Sequence, residues 1–211
     1  MSRYYDAVAN ARAVTVAGGG LPRRGGGMPG AMSASDLPLV RLWQAIEARL
    51  AGRRRRVVQI AACVEGEEDP AVAVRLARLA GRATAGGVIV LNSITTETAF
   101  DDDGIVAFGP LPGRAGDARA LNRPLVEAYW ERLSRGADLI ILDTPPVLAS
   151  PLCQALAPTA DGVVLVVEAE RTRAAIAREA RDVLSAAGAN LLGVVLNKRR
   201  HHVPRALYDR L

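Results

Sequence analysis

Lysine is almost missing from this 211-residue chain: Lys198 is the only one, and the formal charge of +5 rests on arginine. A lysine amine acting from any loop before residue 198 is therefore excluded. Cysteine is equally scarce. Cys63 and Cys153 stand far apart at no metal or redox spacing and read as buried reduced thiols, and the adjacent His201 and His202 lack partner ligands, so no metal cluster is expected from either pair. Aromatic residues make up 4% of the chain and are not interleaved with the basic runs 53–56 and 199–202, so direct nucleic-acid binding is not expected. The apolar runs 139–142 and 163–167 fall well short of the roughly 20 residues of a membrane-spanning helix. Residues 1–6 lack the charged start and apolar core of a secretory signal. The expected location is cytoplasmic, with any membrane attachment peripheral and made through a partner.

What is present divides the chain in two. Residues 1–36 hold Gly18-Gly19-Gly20, Gly25-Gly26-Gly27, Pro22 and Pro29, a composition that cannot bury enough apolar surface to order itself, so this part reads as a flexible head and linker. Residues 37–211 read as one domain. Leu39, Leu42, Trp43, Ile46 and Leu50 fall on one helical face that serves either the core or a partner. Strands follow at 57–62, 88–91, 139–142, 162–167 and 191–196, alternating with helices near 70–80, 124–133, 151–157 and 172–187, with a less regular stretch after residue 91. Thr172 and Gly188 supply cap chemistry for the last helix. Continuous apolar strands alternating with helices imply an α/β fold, a doubly wound, mostly parallel sheet with helices on both faces. Ligands of such sheets bind beyond the carboxyl ends of the strands.

The most telling strand end is Leu139-Ile140-Ile141-Leu142-Asp143-Thr144-Pro145-Pro146, where an aspartate follows four apolar residues. P-loop NTPases place a magnesium-binding carboxylate there. With Ala160-Asp161-Gly162 and Leu192-Gly193-Val194-Val195-Leu196-Asn197, this segment resembles the cytoplasmic kinase domain of the bacterial tyrosine kinases that control capsule and exopolysaccharide assembly, relatives of the MinD and ParA ATPases. The resemblance covers about 36–211, is strongest after Ala137, and implies a P-loop NTPase-like fold.

In that register the phosphate loop of the family falls on residues 62–71, and its essential lysine has become Asp69. The following hydroxyl position is Pro70, which has neither a hydroxyl nor a backbone donor. Instead of glycine amides and a lysine converging on phosphate, the loop carries Glu65, Gly66, Glu67, Glu68, Asp69, Pro70 and Ala71. Like charges about 5 Å apart at an effective dielectric near 20 repel by roughly 3 kcal/mol per pair, enough in sum to defeat ordinary ATP binding. The residues equally suit a helix start, Asp69 as N-cap and Pro70 in the first turn. The family's second acidic strand falls on Ile89-Val90-Leu91-Asn92-Ser93-Ile94, without either aspartate.

Asp143 is thus the retained acidic residue, the magnesium ligand and catalytic group if the site is active. Asn197 stands where the resemblance implies a contact to the nucleotide base, and an Asn ending a strand also serves as a turn residue. The family's oligomerising helix motif keeps only Arg41, so a homo-oligomer is left open. The resemblance implies an inner-membrane polysaccharide co-polymerase as partner, with the Leu207-Tyr208 segment among candidate contacts. The expectation is a non-catalytic accessory protein without cofactor. The alternatives are an atypical tyrosine autokinase that binds ATP and magnesium with Arg75, Arg171 or Arg173 in place of the lysine, and a MinD-like ATPase.

Overall fold

The computed structural model describes residues 37–53, 55–84, 86–95, 98–100, 106–112 and 122–197. The expected head and linker at 1–36, and the segment 198–211, lie outside the described residues. Helix α1 (Leu37–Arg49) leads into β1 (Val57–Ala62), α2 (Pro70–Ala83) and β2 (Val88–Asn92). Two strands then follow, β3 (Ala99–Phe100) and β4 (Val106–Pro110), before α3 (Arg123–Leu133) and β5 (Leu139–Asp143). The chain continues through α4 (Pro151–Leu156), a 3-10 turn (Ala157–Thr159), β6 (Gly162–Glu168), α5 (Ala174–Ala186) and β7 (Leu191–Asn197).

The seven strands form one sheet in the order β3-β4-β2-β5-β1-β6-β7. All neighbours are parallel except β3 and β4. Helices on both faces explain why the central strands are mostly apolar, Gln59 of β1 apart: β1 is buried at every position, and β2 and β5 at all but the last. One face packs under α1 and α2, with Trp43, Ile46, Leu76 and Ala77 against Val58, Ile60, Val90 and Ile141. The other lies under α3, α4 and α5, with Trp130, Leu156 and Leu184 against Leu142, Leu165 and neighbouring strand residues. The apolar face of α1 therefore belongs to the core.

Two expectations need correction. The stretch after residue 91 is not irregular throughout, because β4 pairs along the whole of β2 and buries Val106 and Ala107. Thr172 is not the N-cap of α5: its hydroxyl accepts from the Glu168 backbone N–H at 2.9 Å, and Arg173 takes the cap position without a side-chain bond. Gly188 does end that helix region, at φ +81.

The order of strands fixes where a site can form. The chain leaves β1 toward β2 and leaves β5 toward β6, crossing in opposite directions about the centre of the sheet. The ends of β1, β5, β6 and β7 therefore open onto one crevice.

Candidate functional site

The loop from Cys63 to Asp69 joins β1 to α2 at this crevice. Asp69 is the N-cap of α2, in extended conformation, and its Oδ1 accepts from the Ala71 backbone N–H at 3.1 Å. Pro70 occupies the first turn, where its missing N–H costs no helical bond. Glu68 folds back so that its carboxylate accepts from the Gly66 N–H. The Gly66 and Ala71 amides are thus taken by carboxylates of the same loop.

Gly66 sits at φ +78, the left-handed region open to glycine. Its carbonyl accepts from Arg171 Nη1 at 2.9 Å, and a Cβ at this position would lie 3.1 Å from Arg171 Nη2. Arg171 is placed there by the turn after β6, in which Glu170 adopts φ 64, and its guanidinium also meets Glu168 at 3.4 Å. Of the three arginines named as substitutes for lysine, Arg171 reaches the loop and Arg173 caps α5.

Asn197, at the end of β7, donates from Nδ2 to Asp69 Oδ2 at 2.9 Å. The residue expected to meet a nucleotide base is thus bonded to the residue that the resemblance sets at the lysine position. Glu67 goes elsewhere. It is buried at 3% exposure with Oε2 unpartnered, and its charge together with burial pushes the Cys63 thiol up to about 11, burial being the larger cause.

Asp143 ends β5 between Ile60 of β1 and Asn92 of β2. Burial, then the charges of Asp69 and Glu68, raise its carboxyl from 3.8 to about 6. Asn92 is engaged locally: its Oδ1 accepts from the Ile94 and Thr95 amides at 3.0 and 2.7 Å, closing its own turn. Pro70 lacks a hydroxyl, and among the described residues no group of three or more His, Cys, Asp or Glu side chains is placed to hold a metal.

Beneath Asp143 lies a buried polar support that the spacing of residues did not reveal. Gln59 Nε2 donates to Thr144 Oγ1 at 3.1 Å and to the Cys153 carbonyl at 3.0 Å, and Thr144 Oγ1 donates to the Ile60 carbonyl at 3.2 Å. The Pro-Pro turn is tied to the end of β1 by Val147 N–H to Ala62 O at 2.9 Å and Leu148 N–H to Cys63 O at 3.1 Å. Asp143 is therefore held on a rigid base beside a loop already closed by its own side chains.

The Arg53–Arg56 region also acquires a structural account. Asp161, 7% exposed, accepts from the Val57 N–H at 2.9 Å, Arg53 Nη1 at 3.0 Å and Arg55 Nε at 3.4 Å. Arg56 donates to the Asp138 carbonyl at 3.1 Å and lies 6.0 Å from the Trp43 ring centroid.

No family model matches the chain. Among curated proteins, the tyrosine-protein kinase YwqD of Bacillus subtilis is 30% identical over 96 residues, 46% of this chain and 40% of the relative. Tyrosine-protein kinase CpsD of Streptococcus agalactiae is 36% identical over 78 residues, 35% of this chain and 34% of the relative. The matches thus span well under half of those relatives. Among solved structures, the kinase domain of Escherichia coli tyrosine kinase ETK superposes with a TM-score of 0.66 at 16% identity, covering 79% of this chain and 77% of that one. The MinD cell division protein of Aquifex aeolicus gives 0.55 at 15% identity, covering 74% and 72%. Over the matched stretch the chain is a homologue of bacterial tyrosine kinases, and its fold is the one that their kinase domains share with MinD-like P-loop ATPases.

Proposed function

We propose that this chain is a catalytically degenerate, tyrosine-kinase-like accessory protein of capsule and exopolysaccharide biosynthesis and export, which acts by docking to a membrane polysaccharide co-polymerase. It works without ATP or magnesium, in the cytoplasm, held at the inner membrane through that partner. One observation carries the reading: the loop's Gly66 and Ala71 amides are already bound by Glu68 and Asp69, and Asp69 is held by Asn197. A triphosphate arriving there would have to break these bonds and meet carboxylates where a lysine should be. Among the described residues no helix is long and apolar enough to cross a membrane.

The test titrates the purified chain with a fluorescent ATP analogue in magnesium buffer, follows phosphate release, and assays capture of the co-polymerase's cytoplasmic segment. Absence of saturable binding together with capture supports the proposal. Saturable low-micromolar binding with turnover abolished by Asp143→Asn overturns it.

A second reading, an atypical ATP-binding autokinase, has one observation in its favour: the Arg171 guanidinium lies on the phosphate loop. In that case Arg171→Ala removes nucleotide binding. In the first reading there is no binding for it to remove.

A further inference from the structure

The helices divide their charge unevenly between the two faces of the sheet. On one face, α1 and α2 carry five arginines, Arg41, Arg49, Arg75, Arg78 and Arg82, and a single acid, Glu47. On the other, α3, α4 and α5 carry four arginines and four acids, which cancel. The five arginines of the first face are all exposed. Glu47 already lies 3.9 Å from Arg56, outside both helices. The positive excess belongs to the two helices as a whole and does not depend on the local bonds of any one guanidinium.

Helical spacing gathers this charge. Arg75, Arg78 and Arg82 stand at i, i+3 and i+7, within about 60° of one another around α2 and over about 10 Å of its axis. They lie opposite the buried Val72, Leu76 and Ala80. Helix α2 covers β2 and β5 with α1 beside it toward β7, so the outward faces of the two form one layer. On α1, Arg41 stands opposite the buried Leu39, Trp43 and Ile46. Leu37, one turn earlier on the same outward face, is 53% exposed. The acids of the loop 65–69 precede the first turn of α2, at the crevice end of the sheet.

Arginines spread over two helices suit an extended anionic surface, whereas ligands of one phosphate group would converge. An exposed leucine among them is a group that a bilayer interface accommodates. Neither outward face offers an aromatic ring on which a base could stack, because Trp43 is 4% exposed and α2 has none. We propose that the α1–α2 face lies on the anionic surface of a membrane, with its arginines against lipid phosphates and Leu37 at the interface. This contact is direct, goes beyond docking to a protein partner, and stands whether or not that docking occurs.

The test is co-sedimentation of the full chain with vesicles of phosphatidylcholine alone, or of phosphatidylcholine and phosphatidylglycerol in equal parts, without any other protein. Binding is expected to the anionic vesicles only. Each arginine near such a surface strengthens binding about fivefold, so Arg75→Gln with Arg78→Gln and Arg82→Gln should weaken it on the order of a hundredfold. Glutamine nearly matches arginine in helix propensity, which keeps α2 folded. A second variant, Arg41→Gln with Arg49→Gln, should weaken it roughly twenty-fold. Arg123→Gln with Arg178→Gln and Arg181→Gln removes the same charge as the α2 variant from the opposite face, and should weaken binding less than about tenfold, since charges more than a screening length away act feebly. Equal loss in this control overturns the proposal, because net charge rather than one face would then drive binding. Parent-level binding by the α2 variant, equal binding to neutral vesicles, no binding to anionic ones, or tighter binding to duplex DNA at the same salt also overturns it.

Discussion

Asn197 and Asp69, 128 residues apart in sequence, are joined by a hydrogen bond of 2.9 Å from the amide of one to the carboxylate of the other. The bond connects the last strand of the sheet to the cap of α2, across the mouth of the crevice. The carboxylate has two donors, the Ala71 N–H and Asn197 Nδ2, and needs no cation from outside.

That pairing is measurable as a coupling energy. A hydrogen bond to a charged group contributes on the order of 1.5–3 kcal/mol when buried, and Asp69 and Asn197 are both only half-buried. Asn197→Ala should therefore cost about 1 kcal/mol. Asp69→Ala should cost about 2 kcal/mol, because the N-cap is lost as well. In urea unfolding the double variant should be more stable than the sum of the single losses implies, by about 1 kcal/mol. Strict additivity would show that the contact contributes nothing in solution.

Asp143 supplies a pH dependence of opposite sense to that of a salt-bridged acid. Its carboxyl is raised from 3.8 to about 6 by burial first and then by Asp69 and Glu68. Between those values the folded protein holds a proton that the unfolded chain has released, so stability falls as pH rises from about 4 to about 6 and levels off above. At roughly 1.4 kcal/mol per unit, the loss is on the order of 2–3 kcal/mol. Asp143→Asn should be more stable than the parent at pH 7.5 by a similar amount, with the difference shrinking toward pH 4. Urea midpoints at the two pH values test both the slope and its source.

The strands were legible because a parallel sheet covered on both faces demands long apolar runs; 139–142 and 162–167 read that way directly, and 57–62 does so apart from Gln59. Strand β4 was not, since Val106-Ala107-Phe108-Gly109-Pro110 is short, holds a glycine and ends in proline, a pattern that also suits a loop. The helix start at Asp69 and Pro70 was legible from local chemistry alone. The Asn197 contact and the Arg171 contact were not, because each depends on which strands become neighbours. Thr172 shows the limit of cap rules: it stands one residue ahead of the cap position, and its hydroxyl accepts from the Glu168 N–H in the turn after β6.

Asp161 is the buried anchor of the arginine run. With the carboxylate removed, the Val57 amide is left without its partner inside the protein, and Arg53 and Arg55 lose their common acceptor. Asp161→Ala should therefore cost about 3 kcal/mol. Arg53 is 52% exposed, so Arg53→Ala should cost less than about 1 kcal/mol. Thermal or urea unfolding of the two variants side by side checks the asymmetry.

Gly66 combines two constraints that can be separated. Its φ of +78 disfavours any side chain by roughly 1–2 kcal/mol, and a Cβ would press to 3.1 Å on Arg171 Nη2. Arg171 is 57% exposed at its side chain and can yield, but only by weakening its 2.9 Å bond to the Gly66 carbonyl. Gly66→Ala should thus destabilise by about 2 kcal/mol in the parent. In an Arg171→Ala background the steric part is gone and about 1 kcal/mol of backbone strain should remain. If the cost is the same in both backgrounds, the arginine does not rest on the loop in solution. If it vanishes in the second, residue 66 does not hold a left-handed conformation.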